Sequence, residues 1–395
     1  MSVFHGFSSL STAADGDDID ANAASLLKAL GKVTDRRKSR GKIYDLVFIL
    51  AISLVAVLAG ASNFREVGDQ VADFSQSLLC KLGAKWCFFR LGFRFPSERT
   101  IRRVLENIDA AEFDLIVGSW LRERASRGSD GMLALAIDGK VLRGSWNGEN
   151  NQFTLFSAMI HDVGVTVAQV QVPPGTNEIT QVEALLAGVP ADAGERVVVT
   201  MDAAHTQRDT AEHIAGERGF DYVMTIKGNQ PKLFDSVFRK CLPLIKDDPH
   251  HFVEERGHGR INRWSTWITD ADGIDFPHAR QVGCIRREVL TLAGVRISKE
   301  YAWPITSSVT DDTTASDLHV HVRNHWGIEN KSHYIRDTAW NEDAHQAYIG
   351  SGPQGMATLR NLAIGLLRLN GVTEIKRTIQ WIGWDRTRAL PLLVT

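Results

Sequence analysis

The sequence predicts an α/β protein in which an all-α N-terminal domain precedes a mixed β-sheet. Two observations predict it. Residues 43–125 place apolar side chains at helical spacing. From Gly131 onward, short runs rich in Val, Ile, Leu and Phe alternate with turns and helical segments, as in a sheet covered by helices. The chain has 395 residues, more than one core usually holds, so we expect two or three structural units.

The N-terminal part of the chain reads as a series of helices. Residues 1–20 are small, polar and acidic, and we expect a flexible leader there, before a helix at residues 21–30. The apolar run at residues 46–59 is shorter than the about 20 residues that a membrane span needs, so we favour a buried core helix over a membrane segment. Further helices are predicted at residues 64–81 and 112–125.

One predicted helix of this domain, which covers residues 21–127, carries several arginines. Ser97 is a good N-cap, and Arg99, Arg102 and Arg103 fall outside the apolar face of the helix that follows it. A basic helix after a loop is able to enter a DNA groove, although an ordinary solvated helix has the same pattern. Both interpretations stay open at this point.

The central part of the chain contains five strand-like runs: LALAID, FTLFSAMI, VTVAQVQV, RVVVTMDA and YVMTIKG. Helical segments are predicted at residues 178–186 and 206–218. Three successive strands followed by helix, strand, helix and strand is the order expected of a ribonuclease H-like core.

The last third of the chain supplies an insertion, a closing helix and a tail. Residues 246–310 alternate between polar and apolar side chains and contain Gly and Asp turns, which predicts an inserted antiparallel β subdomain. A long helix at about residues 315–337 then closes the core. Residues 346–395 are expected to form a helical tail, with an amphipathic helix at residues 355–371 and a short peripheral remainder.

The overall charge gives no sign of nucleic-acid binding. The formal net charge is −2 and the pI is near 6.7, so any DNA contact must come from local basic patches. The four cysteines form no CxxC pair, which indicates neither a zinc finger nor a disulfide scaffold. Isolated thiols in a reducing cytoplasm are the simpler interpretation.

Two aspartates end strand-like runs. Asp138 ends LALAID, before a turn that we expect at Gly139 and Lys140, and Asp202 ends the strand in RVVVTMDA. Each could serve only a turn or a helix N-cap. If the two strands are neighbours, however, the carboxylates lie within a few ångströms, and such closeness is costly unless a cation sits between them. Oxygen ligands suit Mg²⁺, and paired ions of this kind serve phosphoryl transfer.

Glu329 is the best candidate for a third carboxylate. His325, Trp326, His333 and Arg336 share its face of the long helix, a composition suited to phosphate contact and base stacking. A solvated glutamate is the simpler interpretation. A zinc site formed by His325, Glu329 and His333 is a further alternative, although no HExxH motif or cysteine supports it.

Several motifs together carry a family resemblance: AIDGKVLRGS, NEIT, VTMDAAHTQ, YVMTIKGNQP, GHGR and NHWGIENKSHYIRDTAWNED. The first domain adds two further motifs, DRRKSRGKIYDLVFILAISLVAVLAGASNFREV and PSERTIRRVL. Over nearly its whole length, the chain resembles the insertion-sequence transposases of the ISAs type, also called H-repeat-associated proteins. The resemblance implies a ribonuclease H-like catalytic domain at residues 128–345, with a DDE triad at Asp138, Asp202 and Glu329. The chain departs from the family pattern at Ser332, Tyr334 and Arg336, and retains the triad.

The resemblance implies a reaction in two steps: water attacks the DNA at an element end and frees a 3′-hydroxyl, and this hydroxyl then attacks a target phosphodiester. The triad would hold Mg²⁺ or Mn²⁺, two ions per site. The partners would be double-stranded DNA and further copies of the chain assembled on it, in the bacterial cytoplasm at the nucleoid. There are two competing interpretations: a metal-dependent nuclease without strand transfer, and a DNA-binding relic, that is, a protein that binds DNA but has lost transposition.

Four basic residues are candidate phosphate clamps: Lys140, Lys227, Arg323 and Arg336. Ordinary surface positions are the alternative for the lysines. Trp326 is expected either to stack on an unpaired base or to pack in the core. Glu178, in the NEIT motif, is an additional acidic candidate outside the triad.

Overall fold

The computed structural model describes residues 25–125, 131–147, 151–190, 194–309 and 312–394. The leader expected at residues 1–20 lies outside these ranges, and so does the start of the first predicted helix. The rest of that helix, α1, is present at residues 25–30.

The N-terminal domain is mainly helical, as the sequence predicts. Its helices after α1 are α2 (Leu46–Leu58), α3 (Phe64–Ala72), α4 (Gln76–Lys81), α5 (Glu98–Asn107) and α6 (Ala110–Ala125). Helix α2 is apolar on every side and nearly all of its residues are buried, which confirms the core-helix interpretation. In the described part of the chain, no helix is long and apolar enough to cross a membrane.

Two details of this domain differ from the prediction. The helix expected at residues 64–81 is two helices, because the Ser75 side chain accepts a hydrogen bond from the Leu78 amide at 3.2 Å and begins α4 anew. A short antiparallel hairpin, β1 (Trp86–Cys87) and β2 (Gly92–Phe93), interrupts the helices, so the expectation of an all-helical unit is wrong there.

The second part of the chain is a nine-stranded mixed sheet. Its strands are β3 (Met132–Asn147), β4 (Asn151–Ile160), β5 (Thr166–Val172), β6 (Arg196–Met201), β7 (Asp221–Ile226), β8 (His251–Gly257), β9 (Arg260–Asp270), β10 (Gln281–Thr291) and β11 (Arg296–Thr306). Their order across the sheet is β5-β4-β3-β6-β7-β11-β10-β9-β8. The pairs β3–β6 and β6–β7 are parallel and the other pairs are antiparallel. The predicted order of strands and helices is present.

Short helices connect these strands. They are α7 (Val182–Ala187), α8 (Arg208–Ala211), which continues as a π-helical segment at Glu212–Glu217, and α9 (Pro231–Cys241). The four strands of the predicted insertion, β8 to β11, are antiparallel as expected. They extend the core sheet, because β11 pairs directly with β7.

The closing helix is present but irregular. It consists of α10 (Ala315–His325), a π-helical turn at Glu329–His333 and α11 (Tyr334–Trp340). A π-helical turn inside an α-helix frequently marks a functional site.

Both C-terminal helices pack against the rest of the protein, so the expectation that the residues after the first of them are peripheral is wrong. Helix α12 (Gly352–Leu369) is buried along Gly352 to Leu367, where it packs against α2, α6 and β5. The expectation of one apolar face is therefore wrong, because α12 lies between the helical domain and the sheet. Helix α13 (Ile375–Trp384) packs against α2 and α11.

Candidate active site

The pairing of β3 with β6 sets Asp138 and Asp202 the same number of residues beyond a paired position, although Asp202 belongs to neither acidic group described below. Ala136 of β3 lies opposite Thr200 of β6 in parallel register, and each aspartate follows two residues later. Strand β6 ends at Met201, as expected. The turn expected after Asp138 is wrong: β3 continues to Asn147, because its hydrogen bonding to β4 extends past Asp138. Asp138 therefore emerges where β3 runs beyond the end of its parallel neighbour.

Asp202 stabilises the turn that follows β6. Its Oδ1 accepts hydrogen bonds from the backbone amides of Ala204, at 2.9 Å, and His205, at 3.4 Å. The contacts of this carboxylate are thus those of a turn aspartate. The same turn carries His205 to a buried position with a side-chain exposure of 2%.

Glu329 and His333 meet Asp138 across the sheet edge. The His333 Nδ1 lies 3.4 Å from Glu329 Oε2 and 3.8 Å from Asp138 Oδ2. One potential ligand atom from each of the three side chains lies within 4.8 Å of the other two. The π-helical turn at Glu329–His333 carries both helical members of this group. We call Asp138, Glu329 and His333 the helix-side group.

Glu178 and His205 approach Asp138 as well. The His205 Nε2 lies 3.2 Å from Glu178 Oε2, and these two side chains and Asp138 also have ligand atoms within 4.8 Å of one another. We call Asp138, Glu178 and His205 the loop-side group. The NEIT motif indicates Glu178 from the sequence, whereas His205 was missed, although VTMDAAHTQ places it three residues after Asp202.

Burial and like charge set the electrostatics of the cluster. Burial raises the pKa of Asp138 to about 7, and the neighbouring Glu329 and Glu178 carboxylates act in the same direction. The hydrogen bond from His333 lowers the pKa of Glu329. Burial lowers the pKa of His333, which keeps its imidazole neutral and able to bind a metal. The cluster is an acidic pocket in which charge is poorly balanced by the protein alone.

Four of the candidate DNA contacts face inward and need correction. Lys140 is 7% exposed, with its Nζ 2.7 Å from Asp337 Oδ2, so neither a surface position nor a free phosphate clamp is right. Arg336 is fully buried in an ion pair with Glu342. His333 belongs to the helix-side group, and His325 contacts Thr200 Oγ1 at 3.1 Å and lies in neither acidic group.

The alternative zinc site is not formed, because His325 does not belong to the cluster. The site predicted from His325, Glu329 and His333 is not assembled among the described residues, since Asp138 takes the place of His325 beside the other two.

Other candidate DNA contacts remain open to solvent. Trp326 is 69% exposed, so core packing is wrong for this residue. Lys227, just after β7, is exposed and has no ion-pair partner in the described part of the chain. Arg323 keeps 42% exposure although it pairs with Glu255 at 2.6 Å.

The N-terminal domain also presents an exposed basic and aromatic surface. The side chains of Arg99, Arg102 and Arg103 on α5 are exposed. The hairpin displays apolar side chains that are more than half exposed: Trp86, Phe88, Phe89 and Leu91. Ile43 and Tyr44 line both the cleft beside Trp86 and the cleft beside Arg103, so the hairpin and α5 belong to one surface.

Comparisons with known families and proteins agree over most of the chain. Residues 129–366 match the family described as "Transposase DDE domain", and residues 27–121 match "DDE_Tnp_1-associated". The chain is 30% identical to "Putative transposase YncI" of Escherichia coli O157:H7, over 87% of each protein. It is 28% identical to "H repeat-associated putative transposase YhhI" of Escherichia coli K12, over 91% of this chain and 95% of the relative.

Proposed function

The chain belongs to the DDE transposase family and is a transposase-type enzyme, and from this premise we propose that it cuts DNA at insertion-element ends and joins the freed 3′-hydroxyl to target DNA. The observation that carries the proposal is the convergence of carboxylates at one sheet edge. Asp138 lies beside Glu329 and Glu178, and Asp202 follows the neighbouring parallel strand β6. A DNA-binding relic would have no use for such an arrangement.

We assign the sheet from β3 to β7 to a ribonuclease H-like core. Support comes from the order β5-β4-β3-β6-β7, with an antiparallel meander followed by two parallel strands. In this assignment the site lies at the carboxyl ends of the parallel strands, where open α/β sheets commonly bind ligands.

The donor set fits hard divalent cations, because it consists mainly of carboxylate oxygens close enough to repel one another. Asp138, Asp202 and Glu329 would hold Mg²⁺ or Mn²⁺, two ions per site. When bound, such ions activate the attacking oxygen and stabilise the leaving oxygen of an in-line displacement at phosphorus.

The protein's own residues prepare the site for this chemistry. His333 orients Glu329 through the 3.4 Å contact between its Nδ1 and the carboxylate. The buried Lys140 lowers the pKa of Glu329 by its charge, while its own Nζ is held by Asp337. Asp202 is fixed by two backbone amides, which limits its rotation.

DNA would be positioned by the exposed residues around the site and on the helical domain. Trp326 offers an indole face for an unpaired base at the element end, and Lys227 and Arg323 offer positive charge to the phosphates. Arg99 and Arg103 on α5 would contact the DNA duplex at a distance from the cleaved end. Pairing two element ends calls for at least a dimer assembled on DNA.

The experiment combines the wild-type protein with Mn²⁺ or Mg²⁺ and DNA carrying the sequences that flank its gene, and follows nicks and joined products on sequencing gels. We expect joining by the wild type and by Asp235→Asn, an exposed control on α9, and none by Asp202→Asn or Glu329→Gln. Cuts without joined products would point to a nuclease, and binding without cuts to a relic. Joining that survives Asp202→Asn would contradict the assigned triad.

A further inference from the structure

We infer that the loop-side group is a second cation site, in which Glu178 and His205 bind a divalent ion together with Asp138, and that Asp138 is shared with the helix-side group. This inference rests on the proposed function. It adds two ligands that the triad does not include. Its starting point is that Asp138 is the one residue common to both acidic groups in the described part of the chain.

The position of Glu178 is fixed by the backbone around it. Glu178 begins the 3₁₀ turn Glu178–Gln181, for which Asn177 is the N-cap. Its carboxylate lies directly over Gly139 of β3: a Cβ atom at residue 139 would come within 1.7 Å of Glu178 Oε1. Gly139 has no positive φ, so glycine serves here to leave space rather than to allow an unusual conformation. The fold keeps a place for this carboxylate beside Asp138.

His205 is held against the same part of β3. Its ring stacks on Phe156 with the ring centroids 5.1 Å apart, and Phe156 lies opposite Gly139 in the β3–β4 register. The His205 Nε2 contacts Glu178, while the buried Nδ1 has no hydrogen-bond partner among the described residues. The nitrogen that would bind an ion is Nε2, because it is the one that faces the Glu178 carboxylate.

A purely structural Glu178–His205 pair is the alternative, and the position of Asp138 argues against it. A structural pair of one glutamate and one histidine needs no second acidic side chain, yet here a second carboxylate lies among the ligand atoms. Two carboxylates so close repel unless a cation lies between them. Two groups that share one carboxylate would also hold two ions close together, as in two-ion phosphoryl-transfer sites. Because each group contains an imidazole, the pair of sites suits Mn²⁺ better than Mg²⁺, which prefers oxygen ligands.

The test counts Mn²⁺ ions bound per chain by the full-length, metal-stripped protein, using isothermal titration and the electron paramagnetic resonance of free Mn²⁺. We expect two ions for the wild type, one for Glu178→Gln, one for Glu329→Gln and none for Asp138→Asn. Glu183→Gln, an exposed control in α7, should bind two. Thermal unfolding of the metal-free proteins checks that each variant is folded.

A second variant keeps the test independent of Glu178. Pulsed resonance of bound Mn²⁺ detects coordinated imidazole nitrogens, and His205→Gln should remove one nitrogen coupling while the coupling from His333 remains. Two ions bound by Glu178→Gln, or an unchanged nitrogen signal in His205→Gln, would overturn the inference and leave the proposed function intact. A wild type that binds a single ion, lost in Glu329→Gln alone, would overturn it too. A wild type that binds no ion would sink the proposed function itself.

Discussion

Two charge clusters use side chains of the closing helix, and they are built in opposite ways. In one cluster, Arg336 and Arg360 enclose Glu342, and all three side chains are at most 1% exposed. Glu342 accepts hydrogen bonds from Arg336 Nε at 2.7 Å and from Arg360 Nη1 at 2.6 Å. In the other cluster, Asp138 faces two further carboxylates and two imidazoles.

The difference shows which cluster is complete without a ligand. Burial opposes ionisation of Glu342, yet the two guanidiniums lower its pKa to about 2, so the protein itself supplies the counter-charge. Around Asp138, burial raises the pKa to about 7, and the neighbouring Glu329 and Glu178 carboxylates act in the same direction. The arginine cluster therefore stabilises the fold, whereas the acidic cluster is costly to the metal-free fold and is suited to holding cations.

The largest effect should follow from breaking the arginine cluster. Glu342→Gln leaves two buried guanidiniums without a counter-charge and should lower the free energy of unfolding at pH 7 by about 3 to 5 kcal/mol, measured by urea denaturation. Because the pKa of Glu342 lies below its usual range, the wild type should lose this stabilisation as the pH falls from about 4.5 toward about 2. Arg336→Leu should cost less, since the Glu342–Arg360 pair remains. Equal losses would show that Arg336 carries the cluster.

The next effect concerns occupation of the acidic cluster. Mn²⁺ at about 100 times its Kd should raise the free energy of unfolding by about 2.7 kcal/mol for each site filled, because the ion binds the folded state. The melting temperature of the wild type should rise with Mn²⁺, and that of Asp138→Asn should not. K⁺ at the same ionic strength controls for general salt effects. If the melting temperature of Asp138→Asn rose with Mn²⁺ by the same amount, the acidic cluster would not be the place where the ion binds.

A smaller effect is expected without metal. The raised pKa of Asp138 means that its ionised form is disfavoured in the folded state, so the metal-free protein should lose stability as the pH rises from about 4 to about 7. Asp138→Asn removes this cost and should be more stable than the wild type by about 2 kcal/mol at pH 8. The advantage should shrink toward pH 4. A variant less stable than the wild type at pH 8 would mean that Asp138 is a structural residue.

The smallest effect belongs to the exposed basic surface. Arg99→Glu and Arg103→Glu should each weaken DNA binding by about 1 kcal/mol, and fluorescence anisotropy should show the slope of log affinity against log salt falling by about 1. Arg377→Glu, whose arginine already pairs with Glu374, is the matched control and should change little. If only the control variant lost affinity, the DNA-binding surface would lie on the C-terminal helices and not on α5.

The sequence predicts the strand order and the approximate position of most elements, because those depend on local periodicity. It also indicates Asp138, Glu329 and Glu178, which stand in recognisable motifs and meet in the fold, and Asp202, which belongs to neither acidic group. It does not predict that Lys140 and Arg336 are buried, because their partners Asp337 and Glu342 meet them only in the folded chain. The same limit hides His205, whose neighbour Glu178 is distant in sequence, and the burial of α12, which depends on two other regions of the protein.

The central claim is that Asp138 binds the cations that drive strand joining, and replacing its carboxylate by a thiolate tests it most directly. Thiolate is a softer ligand than carboxylate and accepts Mn²⁺ far more readily than Mg²⁺. Joining should occur with the wild type in either ion, and with Asp138→Cys in Mn²⁺ but not in Mg²⁺. Equal joining by Asp138→Cys in both ions, or any joining by Asp138→Asn, would contradict the claim.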